Sequence, residues 1–171
     1  IRDGIRLGVS PHAPYSCDDA VYAAAAQLGL PTSTHLSETT DEALFTREAS
    51  GPFADLLKSF GMWTPDLRGW ARSPVERVQP LLRGTGAQLV HLNYLSDADL
   101  ALLVRDAGAD RACVPVYCPR ASEYFRHPEP GHRDVGDDGP DRRPLARAAR
   151  RFRRRDRALP PHHGRRGARG P

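Results

Sequence analysis

The chain has few of the features that mark secreted or membrane proteins. Its three cysteines, Cys17, Cys113 and Cys118, are odd in number and lack the spacing of a zinc finger. Reduced thiols are therefore expected, and with them a cytoplasmic protein. No apolar run approaches the ~20 residues that cross a bilayer, and the opening Ile-Arg-Asp-Gly lacks the order of a signal peptide. We therefore expect no membrane partner.

An initiating methionine is also missing, because the sequence begins at Ile1. We therefore expect a start inside a longer reading frame. The 171 residues, of which 39% are apolar, are enough for one domain with its own core, or for a piece of something larger.

Basic residues are concentrated at one end of the chain. Residues 134–171 contain 12 Arg and 5 Asp, so they contribute +7 to a total charge of +4, and the preceding part carries −3. Few branched apolar residues occur there, so we expect disorder, or at most a brief helix near 145–157. A frame-shifted reading of a GC-rich gene would give the same composition. We name residues 132–171 the basic tail and predict a folded domain over residues 1–131.

The basic tail also supports an alternative from another class, a non-catalytic protein that binds nucleic acid. Twelve Arg around Phe152 could neutralise phosphates. The tail has no recognised fold and only one aromatic residue for stacking, so we expect at most sequence-indifferent, salt-sensitive binding.

The rest of the chain alternates predicted strands and helices. Strands are predicted at residues 5–10, 30–35, 87–92 and 112–118. Helices are predicted between them, from Ser16 to Leu28, over 41–60 with a break at Gly51-Pro52, from Ser73 to about Arg83 with a kink at Pro80, and from Ser96 to Gly108. This order predicts βαβ units with right-handed crossovers, hence an α/β fold with a parallel sheet.

Each predicted strand has a polar residue at its C-terminal end or just beyond it. These residues are His12, His35, His91, and Arg120 or Ser122. In a closed (β/α)8 barrel the strand ends converge on one mouth, whereas in an open sheet they spread along an edge. Three strand-end histidines favour the barrel. The long segment 41–72 is typical of a lid over such a site, although a surface insertion has the same signature.

The histidines and Glu38 form a set that can carry out hydrolysis. A divalent metal held partly by His35 would lower the pKa of water, while Glu38 transfers its proton and His91 orients the developing oxyanion. His12 would then contact the substrate. Imidazole ligands suit zinc and also iron, so the residues leave the metal open, with zinc the simplest choice. His35 and His91 could each instead be a buried ring hydrogen-bonded to the backbone.

Four motifs in order resemble the amidohydrolase superfamily, in the branch with cytosine deaminase, methylthioadenosine/S-adenosylhomocysteine deaminases and triazine chlorohydrolases. They are Ser-Pro-His-Ala-Pro-Tyr-Ser at 10–16, Ser-Thr-His-Leu-Ser-Glu at 33–38, Val-His-Leu at 90–92 and Tyr-Cys-Pro-Arg-Ala-Ser at 117–122. The resemblance covers residues 5–131 and implies about strands 4 to 7 of a TIM-type barrel. It also implies water-driven release of ammonia, or alternatively chloride, from a small heterocycle such as a nucleobase or nucleoside.

The resemblance implies roles for particular residues. His35 would be a metal ligand and Glu38 the proton shuttle, with His91 beside the metal-bound water. His12 would contact the substrate, and Arg120 and Ser122 are expected to shape its pocket. The parent enzyme could be a homo-oligomer.

Two family elements are missing from the sequence. It contains no His-x-His, which such enzymes carry on strand 1, and no Gly-Thr-Asp-Ser-like run after strand 8. His35 would then be the sole clear protein ligand. We therefore expect the isolated chain to be an inactive fragment.

Overall fold

The computed structural model describes residues 6–127, so the basic tail and the predicted boundary at 131/132 lie outside the described residues. Six helices and three strands are formed there. The helices are α1 (Asp19–Gln27), α2 (Thr40–Glu48), α3 (Pro52–Ser59), α4 (Pro74–Leu82), α5 (Asp97–Asp106) and α6 (Pro119–Tyr124). The strands are β1 (Ser33–Leu36), β2 (Gln88–His91) and β3 (Val114–Val116).

The strands form one parallel sheet in the order β1-β2-β3, with Leu36 opposite His91. The expected α/β architecture with a parallel sheet is therefore confirmed. The segment before α1 also runs beside β1: Ser33 N–H donates to Val9 (3.1 Å), and His35 N–H donates to His12 (2.9 Å). Four segments thus lie side by side in chain order.

The predicted strand at residues 5–10 is largely absent from the described part. Only a single parallel bridge, Val9 to Thr32, forms there. Pro11 has no N–H to continue the pairing, which accounts for the early end. β3 is likewise shortened to three residues around Pro115.

The helix starts follow their capping residues. Ser73 and Ser96 both form the predicted capping boxes, and α2 and α3 are separated at Gly51-Pro52 as expected. The predicted start of α1 at Ser16 is wrong. Asp18 caps this helix instead, accepting a hydrogen bond from Val21 N–H at 2.9 Å.

The Ser16 side chain points back into the preceding loop and not toward the first turn of α1. Its hydroxyl donates to the Ala13 carbonyl and contacts His12 Nδ1, so it stabilises the loop before the helix. The second difference is α6, which occupies residues expected to form a loop; Pro119 at its first turn is a helix-start signal.

The core lies between the sheet and the helices α1 and α4. It contains Tyr22, Leu36, Val75, Val78, Leu82 and Leu89, all fully buried. Apolar burial of this kind contributes about 25 cal/mol per Å² and fixes the sheet against the helices. Within the described residues, no helix is long and apolar enough to span a membrane.

Candidate active site

The chain changes direction sharply where β1 and β2 end. Ser37 has φ 51°, while His91 has φ 81° and Leu92 φ 53°, all in the left-handed region. Such conformations in non-glycine residues cost about 1–3 kcal/mol each and persist only where neighbouring contacts enforce them. Here Leu92 N–H donates to the Leu36 carbonyl at 3.0 Å, and Asn93 N–H donates to the Ser37 carbonyl at 2.9 Å. The two strand ends therefore turn together.

Three predicted site residues meet at these strand ends. His91 Nε2 lies 3.0 Å from His35 Nδ1 and 3.4 Å from Glu38 Oε1. One ligand atom from each residue falls within 4.8 Å of the other two. Two imidazoles and a carboxylate at this separation match the ligand types of zinc, and imidazole also suits iron.

His91 is the most buried member of this cluster, at 7% exposure. Burial lowers the pKa of its imidazole, the Glu38 charge opposes that shift, and the nearby His35 and His127 add to it. Its Nδ1 is buried with no hydrogen-bond partner among the described residues. A neutral ring is the form that ligates metals or orients an oxygen.

His12 borders the cluster on its exposed side. Its ring centroid is 5.4 Å from that of His35, and its Nδ1 lies 2.8 Å from Ser16 Oγ. The ring centroid of Tyr15 lies 5.5 Å from that of His12, and the Tyr15 ring stacks on Phe53 of α3 with 3.8 Å between the centroids. Phe53 lies in the segment 41–72, so this segment reaches the neighbourhood of the site.

Arg120 and Ser122 lie on α6, beyond the end of β3. Neither residue has a hydrogen bond or ion pair to His35, Glu38 or His91 among the interactions of residues 6–127. The Arg120 side chain is exposed, whereas Ser122 is only 2% exposed. Their substrate contacts stay predictions.

Sequence reasoning missed Glu42, which is fully buried beside the cluster. Its carboxylate accepts the N–H of Ser37 at 2.8 Å and that of Glu38 at 2.9 Å. Burial raises the pKa of Glu42 to about 7, although these hydrogen bonds oppose the shift. The signal was its position in the first turn of α2, four residues after Glu38, where a carboxylate can accept backbone amides.

Three more residues near the cluster were missed. The Asn93 side-chain amide donates to the Glu38 carbonyl at 3.1 Å. Tyr94 Oη lies 3.2 Å from His127 Nδ1, beside the end of β2. All three lie outside the histidine motifs, and only Asn93 and Tyr94, which follow β2, carried the strand-end signal.

These features define a parallel α/β chain with a candidate metal centre at the C-terminal ends of its strands. The chain is 33% identical over 121 residues to a 5-methylthioadenosine/S-adenosylhomocysteine deaminase of Symbiobacterium thermophilum, covering 67% of this chain and 22% of that relative. It is 30% identical over 140 residues to the aminodeoxyfutalosine deaminase of Deinococcus radiodurans, covering 72% of this chain and 31% of that relative. The predicted resemblance to deaminases of the amidohydrolase superfamily is therefore confirmed.

The fold has a counterpart among solved structures. A zinc-bound adenosine deaminase from Xanthomonas campestris superposes with a TM-score of 0.51 at 22% identity, covering 83% of this chain and 26% of that one. No protein-family model matches the chain. The chain spans between about a fifth and a third of the length of the curated relatives it matches.

Proposed function

We propose that this chain is a section, about strands 4 to 7, of a (β/α)8 barrel in a metal-dependent hydrolase that acts on carbon–nitrogen bonds. The observation that carries the proposal is the meeting of His35, Glu38 and His91 at adjacent strand ends. It occurs in a chain whose curated relatives are deaminases. The proposed substrate is a small heterocycle of the adenosine-like class, and the proposed leaving group is ammonia. Chloride has less support, because both relatives described above are deaminases.

The residues present fit one divalent metal. Imidazole and carboxylate, the side-chain groups that meet in this cluster, are both ligand types of zinc. His35 is the proposed ligand, and the unpartnered Nδ1 of His91 leaves that ring free to be oriented by whatever binds. Zinc is proposed ahead of iron because the structural neighbour from Xanthomonas carries zinc.

A bound divalent metal would supply the activation of water at neutral pH. Glu38 is proposed to accept one proton of the attacking water and to return it to the amino nitrogen, so that ammonia leaves, while the second proton of the water passes to the ring nitrogen as the carbonyl forms. His91, 3.4 Å from Glu38, is proposed to donate to the developing oxyanion. His12 lies on the exposed side, where a substrate would enter, and Arg120 and Ser122 are proposed to shape the pocket further along.

The 171-residue chain by itself is expected to be inactive. The sequence contains no His-x-His, so the ligands that family members carry on strand 1 are not supplied. We expect no hydrolysis of an adenosine-type substrate when the purified chain is given stoichiometric zinc. Turnover above the rate of buffer with zinc would contradict this expectation.

The direct test is a chimera with a complete relative. Residues 6–127 would replace the matched segment of the Deinococcus enzyme, and zinc content and ammonia release would be measured. We expect bound zinc and deamination, with Glu38→Gln lowering kcat by roughly 10²–10⁴-fold because the proton transfer is lost. His35→Ala should reduce zinc content. A folded chimera whose zinc content is unchanged by His35→Ala would contradict the proposed metal site.

A further inference from the structure

The backbone of Glu38 is held at both its N–H and its carbonyl. The Glu38 N–H donates to Glu42 Oε2 at 2.9 Å, and the Glu38 carbonyl accepts from Asn93 Nδ2 at 3.1 Å. The second oxygen of Glu42 takes the neighbouring N–H of Ser37 at 2.8 Å. Glu42 and Asn93 are both nearly or fully buried, so water does not compete for these bonds.

These bonds act on a turn that would not persist unaided. Ser37 has φ 51°, a conformation that costs a non-glycine residue free energy. Its own hydroxyl has no hydrogen-bond partner within residues 6–127, so the Ser37 side chain does not hold the turn. The two hydrogen bonds that the Ser37 and Glu38 N–H groups donate to the Glu42 carboxylate therefore enforce the direction in which Glu38 leaves β1.

The scaffold fixes both holding residues in turn. The Glu42 backbone is tied at each end, because its N–H donates to Thr39 Oγ1 at 3.1 Å and its carbonyl accepts from Thr46 Oγ1 at 2.7 Å. Asn93 is tied to the end of β1, since its N–H donates to the Ser37 carbonyl. The position of Glu38 is thus set by α2 on one side and by the end of β2 on the other.

We propose that Glu42 and Asn93 are positioning residues that hold the backbone of Glu38 on both sides of its Cα and so keep the Glu38 carboxylate against His91. The inference rests on the proposed role of Glu38 as proton shuttle. Neither residue is a catalytic residue, because each acts through Glu38.

The first readout is amide exchange in the full 171-residue chain without metal. Glu42→Gln keeps the shape of the side chain but offers one acceptor oxygen and places an amide donor against the second N–H. We expect roughly 10- to 100-fold faster hydrogen exchange at Ser37 or Glu38, the range for losing a bond to a charged acceptor. Asp106→Asn is the matched control, because Asp106 is a buried carboxylate that accepts the Cys113 N–H away from the cluster. Equal protection of the two amides in Glu42→Gln and in the unaltered chain would overturn the inference.

The second readout is the NMR shift of the His91 ring, which Glu38 contacts in the metal-free chain. Glu38→Gln defines the shift caused by losing the carboxylate. Glu42→Gln and Asn93→Ala should each move the His91 resonance toward that value, and Glu42→Gln should add nothing in the Glu38→Gln background. If Glu42→Gln does not fold, Asn93→Ala carries the same readout. An unmoved His91 resonance in both folded variants would overturn the inference.

The zinc content of the chimera described above separates this inference from the proposed function, because the chimera supplies the strand 1 ligands that this chain lacks. A folded chimera that binds no zinc would count against the metal site. The His91 shift needs no metal, so it would still decide whether Glu42 and Asn93 position Glu38.

Discussion

Buried polar groups differ between the helix-packed side of the sheet and the ends of its strands. On the helix side, Arg77 donates to Asp19, to the Pro14 carbonyl and to the Cys17 carbonyl, at 2.7–3.0 Å. Its guanidinium also stacks on Trp70 at 3.5 Å. At the strand ends, three buried atoms have no partner within the described residues: Ser37 Oγ, His91 Nδ1 and Asn93 Oδ1.

This difference separates a region whose polar groups stabilise the fold from a region whose polar groups are left available for chemistry. An unpartnered buried polar atom costs about 1–3 kcal/mol. Among the described residues, the buried side-chain atoms without a partner lie at the strand ends, whereas each nitrogen of the Arg77 guanidinium has one. The same two ends also contain the left-handed Ser37 and His91. Strain and unpaired polar atoms therefore coincide with the candidate metal centre.

Removing Arg77 should give the largest effect, and on stability alone. Arg77→Ala removes the donor from the buried Pro14 carbonyl and from the half-buried Cys17 carbonyl, and it removes the guanidinium from Trp70. We therefore expect the free energy of unfolding in urea to fall by about 3 kcal/mol. Lys58→Ala is the control, because the Lys58 and Asp55 side chains are 53% and 76% exposed in their ion pair, which should contribute less than about 1 kcal/mol. Equal losses of unfolding free energy in the two variants would contradict the inference that the buried Arg77 network stabilises the chain more than an exposed ion pair does.

The stability of the chain at alkaline pH should report on the burial of Cys113 on the helix-packed side of the sheet. Burial, and then the charge of Asp106, raises the pKa of this thiol to about 11. Above pH 9 the unfolded thiol loses its proton while the folded one keeps it, so the free energy of unfolding should fall as pH rises, by about 1 kcal/mol at pH 10. Cys113→Ala should show a correspondingly smaller loss between pH 9 and 10. An identical pH dependence in both proteins would contradict the raised pKa.

Changing His91 should have the smallest effect on stability and a clear effect on deamination. His91→Asn removes the unpartnered Nδ1 and places at φ 81° a residue that accepts left-handed backbone. We expect the free energy of unfolding of the chain to stay within about 1 kcal/mol, while the same substitution in the chimera lowers the rate of ammonia release, because the proposed donor to the oxyanion is lost. A large loss of stability would show that the strand end, like Arg77, belongs to the stabilising network.

Local rules predicted the elements whose signals lie within a few residues. The capping boxes at Ser73 and Ser96 each require only four consecutive residues, and both helices start where those residues indicate. Ser16 failed because Asp18 offers a competing carboxylate two residues later, closer to the first turn. Capping propensity alone does not decide between Ser16 and Asp18. The contacts of the Ser16 hydroxyl with His12 and Ala13 decide it, because they leave Asp18 to cap the helix.

The candidate site was predictable in its members but not in its supports. His35, Glu38 and His91 are strand-end residues in a motif order typical of deaminases, and the structure brings them together. Glu42 had a local signal, its place in the first turn of α2, but the hydrogen bond from Asn93 to the Glu38 carbonyl joins the end of β2 to the end of β1. A hydrogen bond made across that long-range pairing has no local signature. The proposals for Arg120 and Ser122 rest on the family motif alone.

The distance along the chain between His35 and His91 has a consequence for biosynthesis. These two rings are 56 residues apart in sequence yet 3.0 Å apart in space, with three helices intervening. Contacts this remote form only after the loop-closure entropy of the crossover has been offset by pairing of the strands. A ribosome must therefore release β2 before the emerging polypeptide can bring His35 and His91 together, so the candidate metal centre is assembled only after this segment has been translated.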